Sequence, residues 1–144
     1  MALKVFLDAN LILDFVLKRK GYEEGKVIFT HLEQKDFLGF VSPTVVQICS
    51  YWVVKAHGLE KAKEIMTLLL SVVSVIDTPH KQVLSAFHSS MTDIEDAMLY
   101  YTALHHKLDV IISSDKHFQK EALPSLPVVV PEKFILDFFP DKRT

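Results

Sequence analysis

The chain has 144 residues, of which 49% are hydrophobic and 24% are charged, and it contains only 4 glycines. Such a composition predicts one folded domain over residues 1 to 144 with a well-filled core, and it argues against a second domain. The formal net charge of −2 neither identifies a nucleic-acid-binding protein nor excludes one that has a local basic patch.

Neither a membrane span nor a disulfide is expected. The longest apolar stretches, around residues 45–54 and 68–76, are interrupted by polar residues and fall short of the roughly 20 residues that a spanning helix needs. The first residues lack the basic start, apolar core and cleavage site of a secretory signal. Because Cys49 is the only cysteine, no intrachain disulfide can form, and we expect a reducing, cytoplasmic setting.

Short apolar runs alternate with longer segments whose apolar residues recur at helical spacing. The runs predict strands at about residues 3–7, 37–41, 72–76, 109–113 and 128–130. The longer segments predict helices at about residues 10–17, 23–34, 43–57, 59–70, 79–87, 93–108 and 132–139. This alternation predicts a three-layer α/β/α fold with a central parallel sheet of four to five strands.

The helix after the second strand has a clear start signal. Ser42 followed by Pro43 is typical of an N-cap and a first helical residue, because proline lacks the N–H that is not needed there. The helix is apolar on nearly all sides, which predicts deep packing.

The helix after residue 92 also has a start signal. Thr92 and Glu95 match an S/T-x-x-E capping box. We expect its buried stripe to include Ile94, Ala97, Met98 and Tyr101. Asp93, Asp96 and Tyr100 then share a different face of the helix.

Three aspartates stand where a parallel sheet can bring them together. Asp8 follows the first strand, Asp115 follows the fourth, and Asp96 lies in the first turns of a helix. Ligands of open α/β sheets bind beyond the carboxyl ends of the strands. Clustered carboxylates repel one another unless a cation neutralises them, and hard oxygen donors select Mg²⁺ or Mn²⁺. Such a site suits phosphodiester hydrolysis by a metal-bound water, with two ions about 3.5–4 Å apart in the two-metal form.

Each of these residues also has a purely structural explanation. Asp8 and Asn10 can simply cap a helix, as Asp and Asn often do. Asp96 can favour a helix N-terminus by about 0.3–1 kcal/mol without any metal. Asp115 can form a turn in its Ser-Ser-Asp-Lys context.

Taken together, the motifs resemble those of the PIN domain family. Residues 8–14, Asp-Ala-Asn-Leu-Ile-Leu-Asp, are similar to the family's first motif, D-x-N-x-x-x-D. Residues 95–97 with 100–103 resemble its central acidic helix, and residues 112–118 resemble its last motif. Residues 42–50 are similar to its passage from the second strand into a helix. The resemblance covers about residues 3–131, with the motifs in the family's order.

The resemblance implies a function and a set of site residues. PIN domains are α/β/α nucleases, and many bacterial members are VapC-like toxins that cut RNA and are silenced by an antitoxin. An RNA endonuclease that depends on Mg²⁺ or Mn²⁺, with an antitoxin protein as a partner, is therefore implied. Asp8, Asp96 and Asp115 would be the catalytic metal ligands or water-orienting carboxylates, with Asn10 and Ser113 as supporting polar groups.

One departure from the family pattern concerns Gln47. The family usually has a glutamate on the helix after the second strand, and the matching residue here is Gln47. Glutamine keeps a carbonyl oxygen as a supporting polar group but removes a charge, so we expect one divalent ion to bind well and a second poorly. Asp93, one turn before Asp96, is a candidate for the missing charge. The alternative function is a catalytically weakened PIN-fold binding or regulatory module.

The remaining hypotheses concern partners. Lys18, Arg19 and Lys20 are the best candidates for contacts to an RNA backbone, although a solvated loop is the plain alternative. We expect a homo-oligomer, most simply a dimer, and the apolar C-terminal residues 134–139 offer a surface for it or for an antitoxin. A phosphotransfer protein is a further α/β class, but the first strand ends in Asp-Ala-Asn rather than the Asp-x-Asp of such phosphatases.

Overall fold

The apolar runs form a parallel sheet. The computed structural model describes residues 2 to 140, so residues 1 and 141–144 of the predicted domain lie outside the described residues. The strands are β1 (Lys4–Leu7), β2 (Leu38–Val41), β3 (Val73–Val75), β4 (Val110–Ile112) and β5 (Val128–Val129). Their order is β3-β2-β1-β4-β5, and all neighbouring pairs are parallel. Phe6 of β1 pairs with Phe40 of β2 and with Ile111 of β4.

Helices flank the sheet, as the predicted three-layer α/β/α fold requires. They are α1 (Ala9–Val16), α2 (Tyr22–Glu33), α3 (Pro43–His57), α4 (Leu59–Leu70), α5 (His80–His88), α6 (Ile94–His105), α7 (Lys116–Glu121) and α8 (Pro131–Phe138). Helix α1 packs against α2 and α3, α3 packs against α4, and α5 packs against α6. The short helix α7 is not among the helix ranges predicted from the sequence. Among residues 2 to 140, no helix combines the length and the hydrophobicity needed to cross a bilayer.

The central strands lie in the core. Residues 5–7 of β1 and 110–112 of β4 are all buried, as expected for parallel strands covered on both faces. Helix α2 approaches β2 closely at Gly39, where an added Cβ would lie 2.6 Å from Leu32 Cδ2. Glycine therefore provides the space for this helix-to-sheet contact.

The strand order reverses between β1 and β4. From β1 the chain adds β2 and β3 on one side, whereas β4 pairs with the other side of β1 and is followed by β5. The backbone N–H of Asp8 donates to Ile112 O at 3.1 Å, so the two strands stay together up to their carboxyl ends. A reversal of this kind opens a crevice at the sheet edge.

The prediction that α3 is deeply packed is wrong. Its buried residues are Val45, Cys49 and Val53, which form one stripe. Tyr51 and Trp52 are 58% and 45% exposed. Because only this stripe of α3 packs into the hydrophobic core, apolar residues on its other side remain at the surface.

The predicted start of α6 is also wrong, and of its predicted buried stripe only Ala97 is fully buried. Its N-cap is Asp93, whose Oδ1 accepts a hydrogen bond from the Asp96 N–H at 3.0 Å, so Thr92 and Glu95 form no capping box. The buried residues of the helix are Asp96, Ala97, Leu99, Tyr100, Thr102 and Ala103. Ile94 is exposed. The helix is therefore rotated relative to the prediction, and the rotation turns Asp96 inward.

Candidate active site

An acidic cleft of about 260 Å³ opens at the carboxyl edge of the sheet. Three separate parts of the chain supply its aspartates: Asp8 follows β1, Asp96 lies in the first turn of α6, and Asp115 follows β4. The polar residues that line the cleft are Asp8, Asn10, Ser42, Thr44, Thr78, Asp93, Glu95, Asp96, Thr102 and Asp115. The structure therefore brings together the three aspartates, Asn10 and Asp93 of the sequence prediction.

Ser113 connects two of the aspartates. It is fully buried at the end of β4, and its Oγ donates a hydrogen bond to Asp8 Oδ2 at 2.6 Å. The same Oγ accepts a hydrogen bond from the Asp115 N–H at 3.2 Å. Ser113 does not line the cleft itself, so it fixes the positions of Asp8 and Asp115 from behind.

Burial raises the pKa of Asp8 above its usual value, and the nearby charges of Asp115 and Glu95 raise it further. Hydrogen bonds from Ser113 Oγ and from the Ala9 N–H, at 2.6 and 2.7 Å, oppose this increase in the pKa because they stabilise the charged form. The net rise in the pKa means that the carboxylate of Asp8 gains from a positive charge placed next to it.

Asp96 is the least satisfied of the three aspartates. It is buried, and its Oδ2 has no hydrogen-bond partner among residues 2 to 140. Burial raises the pKa of Asp96 to about 7, with further contributions from Asp93, Asp8, Asp115 and Glu95 in that order. Nearby carboxylates disfavour the charged form of Asp96, whereas a nearby cation favours it. A cation bound in the cleft would therefore stabilise the Asp96 carboxylate strongly.

Three helix N-termini point towards the cleft. Asp8 caps α1, Asp93 caps α6, and Asp115 caps α7 by accepting hydrogen bonds from the N–H groups of His117 and Phe118. Asp8 and Asp115 therefore have the capping role of the structural explanation and also line the cleft, so the capping role does not exclude a functional one. Helix N-termini favour nearby negative charge, whether from a carboxylate or from a phosphate.

The donor set of the cleft fits a divalent cation by its chemistry. Carboxylate oxygens are the ligands that Mg²⁺ and Mn²⁺ prefer. The buried Asp96 Oδ2, which has no hydrogen-bond partner among the described residues, is available as such a ligand. Among the described residues, no three His, Cys, Asp or Glu side chains are already spaced as a metal site. Side-chain rotation or bridging waters are therefore needed before the carboxylates could hold an ion.

Gln47 does not lie in the cleft. It is exposed and lines a neighbouring groove, whereas Thr44, Val45 and Ile48 are the residues by which α3 lines the cleft. Helix α3 therefore supplies a hydroxyl and apolar groups, but no carboxylate and no amide, to the acidic cluster.

Lys18, Arg19 and Lys20 are also away from the cleft. They follow α1, whose 8 residues rise by about 12 Å from the cap at Asp8. Lys18 lines a different cavity together with Val72, which directly precedes β3 and so marks the opposite edge of the sheet. Arg19 Nε pairs with Asp14 Oδ1 at 3.3 Å.

Two features of the site were missed in the sequence. Glu95 was assigned to a capping box, yet it lines the cleft and adds a fifth carboxylate. His117 Nε2 lies 2.8 Å from Thr92 Oγ1 and 3.7 Å from Glu121 Oε2, which ties α7 to the segment before α6. The i, i+4 spacing of His117 and Glu121 was a signal for this short helix.

A family model described as "PIN domain" matches residues 4–117, which contain Asp8, Asp96 and Asp115. The chain belongs to the PIN domain family. This is a family of nucleases, and all four segments of this PIN domain that resemble the family's motifs contribute residues to the cleft. No curated protein matches the chain significantly.

Solved structures share the fold at low sequence identity. VapC20 of Mycobacterium tuberculosis, a toxin that cleaves the sarcin–ricin loop, has a TM-score of 0.68 and 13% identity, over 85% of this chain and 98% of that one. VapBC2 of Rickettsia felis, solved with a DNA fragment of its promoter, has a TM-score of 0.67 and 16% identity, over 88% and 97%. A toxin–antitoxin complex from Klebsiella pneumoniae has a TM-score of 0.65 and 21% identity, over 88% and 97%.

Proposed function

We propose that this PIN domain is an RNA endonuclease that depends on Mg²⁺ or Mn²⁺, with Asp8, Asp96 and Asp115 as its catalytic carboxylates. The observation that carries the proposal is the convergence of these three residues on one cleft, in which Asp96 Oδ2 is buried without a partner. Membership in the PIN domain family supports nuclease chemistry. The solved structures that share the fold include VapC20, a toxin that cleaves the sarcin–ricin loop.

The residues of the chain have distinct tasks in this proposal. Asp8, Asp96 and Asp115 would hold the ion, and Ser113 keeps Asp8 in place through its 2.6 Å hydrogen bond. The amide of Asn10, at the rim of the cleft, can donate to a phosphate oxygen. When bound, the metal ion supplies water activation and stabilises the charge that develops on phosphate oxygens.

The number of ions that bind depends on whether another carboxylate compensates for Gln47, which stands where the family usually has a glutamate. Since α3 supplies no carboxylate to the cleft, Asp93 and Glu95 at the start of α6 are the residues that can compensate. Asp93→Asn removes the charge of the side chain but keeps a side chain that can cap the helix. Glu95→Gln also removes a charge, and it leaves the capping residue unchanged. A fall in Mn²⁺ affinity in either variant, measured by calorimetry, would identify the compensating residue. Unchanged affinity in both would rule out compensation.

We further propose that the chain is the toxin of a toxin–antitoxin pair and that it acts in the cytoplasm. Two of the similar structures, VapBC2 of Rickettsia felis and the complex from Klebsiella pneumoniae, are toxin–antitoxin complexes. Expression of the chain alone should stop bacterial growth, and co-expression of a small protein encoded next to it should restore growth. A homodimer stays a prediction, which sedimentation of the purified chain can check.

Cleavage of RNA by the purified protein tests the central proposal. Structured and unstructured RNA should be cut with Mg²⁺ or Mn²⁺ and remain intact with a chelator. Asp96→Asn should lower the rate by about 100-fold or more, the loss typical when one stabilising group is removed from a catalytic site. Equal cleavage by the variant would show a contaminating nuclease. An inactive wild type that still binds RNA would favour the alternative of a PIN-fold binding or regulatory module, which the absence of a carboxylate from α3 motivates.

A further inference from the structure

A shallow groove continues the acidic cleft along α3. Its lining residues are Thr44, Gln47, Ile48, Tyr51, Trp52 and Glu95. Three of them, Thr44, Ile48 and Glu95, also line the cleft. The cleft and the groove are therefore one continuous surface, and a polymer bound in the cleft would extend along α3.

Two aromatic rings stand exposed in this groove. Tyr51 and Trp52 are 58% and 45% exposed, and their ring centroids lie 5.2 Å apart with the ring planes at 87°. Unpaired nucleic-acid bases stack on exposed aromatic side chains, and this stacking tolerates any base because each base has a π-face. The aromatic pair thus offers a stacking surface next to the carboxylates.

The charge along α3 favours a polyanion beyond the cleft. The helix contains no Asp or Glu, and its charged residue nearest the rings is Lys55. Lys55 Nζ lies 5.6 Å from the Tyr51 centroid and 5.7 Å from the Trp52 centroid. Lys55 is seven residues after Ile48, which corresponds to about 10 Å along the helix axis. A cation at this distance suits a neighbouring phosphate of a chain whose reacting phosphate occupies the cleft.

We propose that Tyr51, Trp52 and Lys55 form a subsite for single-stranded RNA next to the bond that is cut. A base stacks on the aromatic pair, and a backbone phosphate pairs with Lys55. The inference rests on the proposed ribonuclease function. It also replaces residues 18–20 as the phosphate-binding region, since those residues lie at the opposite edge of the sheet.

Fluorescence can follow this subsite directly, because Trp52 is the only tryptophan of the chain. A single-stranded oligoribonucleotide is titrated into the full-length Asp96→Asn variant, in which cleavage is suppressed. We expect saturable quenching of the tryptophan emission. In this background, Tyr51→Ala should weaken binding by about 5- to 150-fold, the range typical of one stacked base.

Lys55→Gln provides the second arm of the experiment. It should weaken binding and reduce the slope of log affinity against log salt concentration by about 0.7, the value for one phosphate contact with a single strand. The matched controls are Phe87→Ala, which removes an aromatic side chain that is 60% exposed outside the cleft and groove, and Lys20→Gln. Both controls should leave the affinity unchanged.

Steady-state cleavage separates this inference from the function on which it rests. In an otherwise wild-type chain, Trp52→Ala should raise KM more than it lowers kcat, and Trp52→Phe should restore most of the loss. If the wild type cuts RNA while Trp52→Ala and Tyr51→Ala leave KM and binding unchanged, the subsite is overturned and the ribonuclease stands. If the wild type does not cut RNA but Trp52 is quenched, the ribonuclease fails and the RNA subsite stands. Dissociation of a dimer by Trp52→Ala, with unchanged RNA affinity, would show that this face binds a second copy of the chain.

Discussion

Asp96 differs from the other two aspartates of the cleft in its hydrogen bonds. Asp8 and Asp115 each accept hydrogen bonds through one or both carboxylate oxygens, whereas Asp96 Oδ2 is buried without a partner among the described residues. Such an atom costs about 1–3 kcal/mol of folding free energy. A cation in the cleft would remove this cost, so folding stability and cation binding should be linked.

The pKa of Asp96 predicts how the stability of the metal-free protein depends on pH. The pKa rises from 3.8 to about 7 on folding, so the protonated form is favoured in the folded state. The stabilising contribution is complete below pH 3.8 and is lost as the pH rises to about 7. Thermal unfolding in a chelator should therefore show wild type losing stability relative to Asp96→Asn over this pH interval. If the melting temperatures of the two proteins changed in parallel with pH, the raised pKa of Asp96 would be contradicted.

Ser113 should matter for cation binding although it does not line the cleft. Ser113→Ala removes the hydroxyl that donates to Asp8 and accepts from Asp115. Loss of a group that orients a ligand typically weakens metal binding by about 10- to 100-fold. Calorimetry with Mn²⁺ should show this decrease, and the exposed neighbour Ser114 provides the control as Ser114→Ala. Equal affinities of the two variants would contradict the role of Ser113.

At the level of elements, the starts of the helices determine the site. Capping aspartates place the N-termini of α1, α6 and α7 at the cleft. The sequence predicts α1 correctly because Asp8 follows an apolar strand. It misplaces the cap of α6, since Thr92 and Asp93 are both good capping residues and only packing decides between them. Three helices are followed by a lysine in a left-handed conformation, at Lys18, Lys35 and Lys107, where glycine is the usual signal.

The contact between α2 and β2 gives a stability prediction. A Cβ at position 39 would lie 2.6 Å from Leu32 Cδ2 and 3.2 Å from Val73 Cγ1. Gly39→Ala should therefore destabilise the fold by about 1–3 kcal/mol, the typical cost of overpacking. Denaturant unfolding measures this free energy. In the Leu32→Ala background the same substitution should cost much less, because the nearest clashing atoms are absent. Equal costs in both backgrounds would contradict the close contact.

For the whole molecule, the sheet explains which parts of the site can be read from the sequence. Asp8 and Asp115 were predictable because buried parallel strands appear as apolar runs whose carboxyl ends share one edge. The contribution of α3 to the cleft was not predictable, because adjacent residues of a helix point about 100° apart and the sequence does not fix the rotation of the helix. In the structure Ile48, and not Gln47, lines the cleft. Position in the fold likewise separates residues 18–20 from the cleft, because α1 carries them to the other edge of the sheet.

The central claim is that Asp8, Asp96 and Asp115 form one cation site. A calorimetric titration of the metal-free protein with Mn²⁺ tests this claim most directly. The Asp8→Asn variant is measured beside the wild type. We expect one ion to bind to the wild type, and the affinity to fall by about tenfold or more in the variant, because the site loses a charged ligand. Equal Mn²⁺ binding by wild type and Asp8→Asn would contradict the claim.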